Sequence, residues 1–493
     1  MKILFITSEV DGLVKTGGLA DVAYALPKAL IAMGHEVQIV MPAYRKTIES
    51  WQDWPAKEFN TPISHFVTET VQAFSGEFKG IPVVAMHHRA SFSREGLYDD
   101  GNNAYYDNCF RFSVMTKAAL EWCKLEDWQP DIVQANDWQS AMASFYLAEH
   151  YKADPFFKDT RSAIAIHNGA YQMHADPHWM HQLGIDPRFF NPEDFEDNAH
   201  LNVLKGSIGF ADAVTTVSPG YAEELTTDLG GHGLDYKFKS LTQPFRGILN
   251  GCDYDQWNPE TDIWLKSQFK TPDDGGKAIC KQDLQQELGL NQGDQIPFLG
   301  VICRLVDQKG IHLLIPVFWN LMAHHDCQVV VLGSGDAKMA AELDEIQNRY
   351  PDRFRFINGY NIGLSHRIEA SIDAFLMPSI FEPCGLNQIY SLRYGTVPLV
   401  REVGGLRDTV CKLEYSRANA DEATGFMFQH LDEETLLQET LRLLDVYKHD
   451  KELWMKLQNN GMAKRFTWEK SAKEYEKLYK EILALPKMKH PLV

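Results

Sequence analysis

Short runs of uninterrupted apolar residues alternate with longer amphipathic stretches along this chain. Ile3-Leu4-Phe5-Ile6 is apolar at every position, the pattern of a strand covered on both faces of a parallel sheet. The same reading predicts strands over 2–7, 36–41, 131–135, 162–167 and 213–217, with helices over 19–33, 109–123, 138–150 and 219–226. Pro27, inside the first helical stretch, predicts a kink or a late start there. Residues 50–107 are aromatic-rich and less regular, and predict an inserted hairpin region with loops. A second series follows the polar, Gly/Pro/Asp-rich stretch 251–277. Its strands are predicted over 297–302, 328–332, 354–357, 374–377 and 397–400, before a helical tail over 432–485.

Strand–helix alternation of this kind implies α/β architecture with parallel sheets. Two Rossmann-like domains are expected, 1–245 and 246–465, facing across a cleft. A C-terminal helix, 466–493, follows, with packing against the N-terminal domain as one option. Ligands of open α/β sheets bind outside the carboxyl ends of the strands, so the loops that follow strands are where chemistry is sought.

Composition narrows the function classes. An apolar content of 44% in 493 residues is that of a globular protein with large cores. A net charge of −19 argues against binding nucleic acid through general electrostatics, while leaving room for a local cationic pocket. The eight cysteines form no C-x-x-C pair, which argues against a zinc or redox motif and for a reducing, cytoplasmic setting. No stretch reaches the length of a membrane span, and the first apolar run is too short for a signal peptide.

The loop after the first strand, Lys15-Thr16-Gly17-Gly18-Leu19, joins glycines, a lysine and a helix start, a combination suited to an anion. It is not a P-loop, because the lysine precedes the glycines, and it lacks the spacing of a dinucleotide fingerprint. A tight turn with a solvated lysine accounts for the segment equally well.

Four further segments follow predicted strands: Asn136-Asp137-Trp138, His167-Asn168, Arg304 with Lys309, and Glu382-Pro383-Cys384-Gly385-Leu386. Each has a plain structural alternative: a helix cap for Asp137 and Glu382, a core histidine, a solvated basic pair. Taken together they suggest cations for a diphosphate and carboxylates for hydroxyls. Arg304 grips phosphate bidentately, Lys309 acts as a point charge, and Glu382 is suited to neutral hydroxyls. That is the pattern of nucleotide-sugar glycosyl transfer; nothing points to the flanking carboxyl pair of a glycosidase.

These residues resemble the bacterial and plant glycogen (starch) synthase family, retaining glycosyltransferases of the GT-B fold. The matching segments include Lys15-Thr16-Gly17-Gly18-Leu19-Ala20-Asp21, His167-Asn168, Leu249-Asn250-Gly251, Arg304-x4-Lys309-Gly310, Gly359-Tyr360, Ser365-His366-Arg367, Glu382-Pro383-Cys384-Gly385-Leu386 and Tyr394-Gly395-Thr396. The resemblance implies transfer of glucose from ADP-glucose to the non-reducing 4-OH of an α-1,4-glucan, without cofactor or metal. It implies catalytic roles for Asp137, His167, Arg304, Lys309 and Glu382. His167 would lie over the anomeric carbon through its backbone carbonyl. ADP-glucose contacts would come from Lys15, Gly17, Gly18, Asp21, Asn168, Asn250, Gly359, Tyr360, Cys384, Gly385 and Leu386, with Tyr360 stacking on adenine.

Two segments depart from the family pattern. Where it usually reads His-x-His-Asp-Trp, this chain has Gln134-Ala135-Asn136-Asp137-Trp138. Gly169 stands where leucine is common. Tyr390, at a place where many related GT-B enzymes carry a second glutamate, agrees with the synthases. A GT-B enzyme using UDP-glucose and an inactive glucan-binding homologue are the competing readings. Primer preference, oligomeric state and regulation are left open by the sequence.

Overall fold

The computed structural model describes residues 1–490. The chain divides into two compact units: Met1–Gly251 with the segment from Trp468 onward, and Cys252–Thr467.

The first unit is built on β1 (Lys2–Ile6), β2 (Glu36–Pro42), β3 (Ala56–Pro62), β4 (Thr68–Phe78), β5 (Ile81–His87), β6 (Ile132–Asn136), β7 (Arg161–Ile166), β8 (His174–Ala175), β9 (Glu196–Asp197), β10 (His200–Asn202), β11 (Ala213–Thr216) and β12 (Phe245–Gly247). Nine of these form one sheet in the order β12-β11-β7-β6-β1-β2-β5-β4-β3, and β8, β10 and β9 form a small separate one. The large sheet is parallel from β12 to β5, and antiparallel only through β4 and β3. The hairpin region is therefore not an insertion: β5 pairs in parallel with β2 and continues the main sheet. Its alternation was hidden by Pro82 and by the half-exposed β4.

Ile3 and Phe5 pack with Val37, Ile39 and Met41 and with Tyr475, Leu478, Tyr479 and Ile482 of the Trp468–Ala484 helix. The segment after Thr467 thus completes the core of the first unit. The first helix, Gly18–Ala32, runs through Pro27 with no late start. The stretch read as a helix over 138–150 ends its α-helical part at Phe145 and continues as a π-turn, Tyr146–His150.

The second unit contains β13 (Phe298–Ile302), β14 (Gln328–Gly333), β15 (Phe354–Asn358), β16 (Ala374–Met377), β17 (Val397–Arg401) and β18 (Phe426–Phe428), all parallel, in the order β15-β14-β13-β16-β17-β18. Leu299 and Val301 face one core while Phe298 and Ile302 face another, as a sheet covered on both sides requires. The polar stretch before it is anchored rather than loose: Trp257 lies stacked between His366 and Tyr390, each ring 3.8 Å away, and Asp262 accepts from His366 at 2.7 Å and Tyr394 at 2.5 Å. Gly276–Glu287 is a helix. The tail holds three helices, Glu433–His449, Lys451–Ala463 and Trp468–Ala484.

Candidate active site

Strand order reverses at one place in each sheet. In the first unit it reverses about β1, whose neighbours are β2 and β6; in the second, about β13, between β14 and β16. Such reversals open the crevice where α/β proteins bind ligands. The candidate residues follow the strands that flank these points: the Lys15 loop after β1, Asp137 after β6, Arg304 and Lys309 after β13, Glu382 after β16.

In the first unit the Lys15 loop is organised by Glu9, a residue that sequence reasoning passed over. Glu9 is 3% exposed. Its carboxylate accepts from the Thr16 amide, from Thr16 Oγ1 at 2.6 Å, from the Gly17 amide at 3.4 Å and from the Tyr98 hydroxyl at 2.5 Å. The available signal was a carboxylate between a strand end and a glycine pair. Lys15 Nζ meets Asp21 at 2.5 Å and Asp11 at 3.1 Å. Burial works against its charge, but Asp21 and Asp11 outweigh that and raise its pKa. Asp21 is itself pushed up, by burial that exceeds the effect of Lys15. The loop is therefore not a bare cation: one ammonium sits among two carboxylates, with Glu9 on the adjoining amides. A Cβ at Gly17 or Gly18 would meet nothing within 4 Å, so the chain itself does not require glycine there, and the open space lies toward solvent.

Asp137 opens the Asp137–Phe145 helix in the left-handed region, φ 53°, and does not cap it. Its Oδ1 instead accepts the amides of His167 at 2.6 Å and Asn168 at 3.4 Å, tying the end of β6 to the end of β7. Burial pushes its carboxyl up to about 7; the two amides oppose this, and the Glu9 charge adds to it. Burial also holds the His167 imidazole down, to about 4. His167 Nε2 lies 3.0 Å from Asn136 Oδ1. Asn168 Oδ1 accepts from the Ala170 amide at 3.0 Å.

The departures have local reasons. Gln134 Oε1 accepts from the Tyr479 hydroxyl at 2.8 Å, inside the core. A Cβ at Gly169 would lie 2.7 Å from Leu225 Cδ2 and 3.3 Å from the Tyr221 hydroxyl, so this chain has no room for leucine there. Asn250 is buried, and its Oδ1 has no hydrogen-bond partner among the described residues.

In the second unit Lys309 Nζ and Ser379 Oγ both bond Glu382 Oε2, at 2.6 Å and 2.9 Å. The two loops are joined by backbone as well: the Ile380 amide donates to the Gln308 carbonyl at 2.8 Å. Gly310, at φ 71°, brings them together, since a Cβ there would lie 2.2 Å from the Pro378 carbonyl oxygen. Arg304 is exposed and makes no ion pair among the described residues. Cys384, Gly385 and Leu386 lead into the Asn387–Arg393 helix. Gly405 packs on Cys384, and its amide donates to the Glu382 carbonyl at 3.0 Å. Gly359 and Tyr360 follow the edge strand β15, with Tyr360 75% exposed.

A family model described as the starch synthase catalytic domain matches residues 2–240, and one for group 1 glycosyl transferases matches residues 281–463. A glycogen synthase of Aeromonas salmonicida is 43% identical, with 98% of this chain and 99% of that protein covered. The chain belongs to the glycogen synthase family. A glycogen synthase of Photobacterium profundum is 41% identical over 97% of this chain and 94% of its own. The catalytic domain of starch synthase IV from Arabidopsis thaliana, solved with ADP and acarbose, superposes with a TM-score of 0.88 at 34% identity, covering 98% of this chain and 99% of its own. Family membership makes this protein a glycosyltransferase of GT-B fold, as the residues that follow the strands suggested.

Among the described residues no helix is long and apolar enough to cross a membrane, and no cluster of His, Cys, Asp and Glu could hold a metal ion.

Proposed function

We propose that this protein is a glycogen synthase that transfers glucose from ADP-glucose to the non-reducing 4-OH of an α-1,4-glucan, with retention at the anomeric carbon. Full-length similarity to glycogen synthases supports the reaction, and the starch synthase IV bound to ADP supports the donor. The observation that carries the reading is the pairing of Lys309 and Glu382 beside an unpaired Arg304, at the strand reversal of the second sheet.

The bond that breaks joins the anomeric carbon to the β-phosphate oxygen, and negative charge grows on that oxygen. Arg304 and Lys309 are fixed cations for it. Glu382 spends Oε2 on Lys309 and Ser379, which leaves Oε1 for glucose hydroxyls. The amides of Cys384, Gly385 and Leu386 add neutral donors. Tyr360 offers an exposed ring for adenine, beside Gly359. In the first unit Asp137 orients the His167-Asn168 peptides, so that the His167 carbonyl and ring are presented to the reacting sugar. Lys15, Gly17, Gly18, Asp21 and Asn250 serve the donor, the lysine by exchanging a carboxylate partner for an anion. The eight cysteines form no disulfide among the described residues, which suits a cytoplasmic setting.

Incorporation of labelled glucose into glycogen, from ADP-glucose and in parallel from UDP-glucose, tests the reading. Transfer mainly from ADP-glucose is expected. Transfer mainly from UDP-glucose would reassign the donor, and none from either with several primers would leave only a glucan-binding role.

A further inference from the structure

Asn136 stands at the end of β6 and is 1% exposed. Its Nδ2 donates to the Ile6 carbonyl at 2.9 Å, and its Oδ1 lies 3.0 Å from His167 Nε2. The orientation of this carboxamide is not free. Ile6 O can only accept, so the amide nitrogen must face it; turned over, two carbonyl oxygens would confront each other at hydrogen-bond distance. Ser140 Oγ holds the same corner, accepting from the Asn136 backbone N–H at 2.6 Å and donating to Ile6 O at 3.1 Å. With the nitrogen committed to Ile6, the atom facing His167 is an acceptor. The nitrogen that meets it must carry the proton.

We propose that Asn136 is a positioning residue that holds His167 in its Nε2–H tautomer and presents Nδ1 as an acceptor for a sugar hydroxyl. This rests on the function proposed above for its substrate, but not for its tautomer. His167 Nδ1 has no hydrogen-bond partner among the described residues. Burial holds the imidazole neutral near pH 7, so which nitrogen carries the single proton decides whether the free one accepts or donates. Asp137 fixes the backbone of His167 and Asn136 fixes its ring, so two successive residues set both halves of one side chain's placement.

The test uses the full chain labelled with ¹⁵N-histidine, with the His167 signals assigned by their loss in His167→Gln. At pH 7.5 the wild-type ring is expected to show a protonated Nε2 and an unprotonated Nδ1. Asn136→Leu removes the acceptor: the second tautomer should appear, and kcat should fall about ten-fold with the KM for donor and glucan changed far less. Asn136→Ala removes the acceptor without added bulk and should show the same second tautomer, which keeps the proposal testable if the leucine variant does not fold. A wild-type ring protonated at Nδ1, or an Asn136→Leu protein with unaltered tautomer and kcat, would overturn it. Should the wild-type chain fail to transfer glucose, the ring signals still decide the role of Asn136.

Discussion

Lys309 Nζ lies 2.6 Å from Glu382 Oε2, with the lysine side chain 18% and the glutamate 8% exposed. The two belong to loops that follow different strands, and each is the main compensating charge for the other. Removing either one alone leaves a buried charge, and is expected to cost about 3 kcal/mol of stability. Lys309→Met with Glu382→Leu should recover more than half of that while remaining inactive. A double-mutant cycle by denaturant unfolding checks the coupling, and additive losses would contradict it.

Asp137 carries a pH signature. Its carboxyl is pushed up by burial to about 7, above its unfolded value of 3.8. A raised acid pKa means that the folded state favours the proton. The stability this adds is complete below the unfolded value and is lost as pH rises through about 7. Asp137→Asn keeps the acceptor for the His167 amide and tolerates the left-handed φ. Its stability relative to wild type should therefore rise between pH 4 and 7 and then level off. Asp137→Ala should be less stable than Asp137→Asn at every pH. Urea midpoints across that range measure both.

Lys15 is held by two carboxylates, so its contribution to donor binding is a difference between partners. Lys15→Gln is expected to raise the KM for ADP-glucose about ten-fold and to leave the glucan KM nearly unchanged, the effect of one lost charged contact. Steady-state kinetics with each substrate varied in turn would reveal it. An equal rise in both would place Lys15 outside the donor site.

Gly405→Ala probes the packing behind the Cys384 loop. The added Cβ would lie 2.3 Å from the Cys384 carbonyl oxygen, a backbone atom that cannot step aside cheaply. Overpacking of this kind costs about 1–3 kcal/mol. Donor affinity should fall as well, because the displaced segment carries the Cys384-Gly385-Leu386 amides. Thermal unfolding and ADP titration are the readouts.

Tyr479→Phe removes the donor to Gln134 Oε1 and leaves a buried acceptor unsatisfied. About 1–3 kcal/mol should be lost from the first unit, with no change in the KM of either substrate. Gln134→Leu combined with it should restore part of the loss.

Most of the framework was legible because parallel strands buried on both faces leave continuous apolar runs, as β1, β13 and β14 do. β12 and β18 were missed: each is three residues long, too short for a pattern to register. β4 was blurred because it is half exposed, and the stretch before Gly276 showed only its polar, Gly/Pro/Asp-rich character because the Trp257 stack that anchors it is a contact over long sequence distance. The site residues were found as motifs, but their partners were not. That Glu9 occupies the Thr16 and Gly17 amides, and that Asp137 serves the backbone of His167 rather than its own helix, depends on where β1, β6 and β7 end side by side.

The return of the chain to its first sheet also bears on the order in which the protein is made. Tyr475, Leu478, Tyr479 and Ile482 fill a core whose other members, Ile3 and Phe5 among them, leave the ribosome more than four hundred residues earlier. Throughout synthesis that apolar surface stays without its covering helix, while Cys252–Thr467 already has every strand of its own sheet. The half translated second can therefore be the half that folds first. A truncation or frameshift before Trp468 would damage the unit built on Met1–Gly251, and nascent chains stalled there should depend on chaperones to keep the first sheet from aggregating.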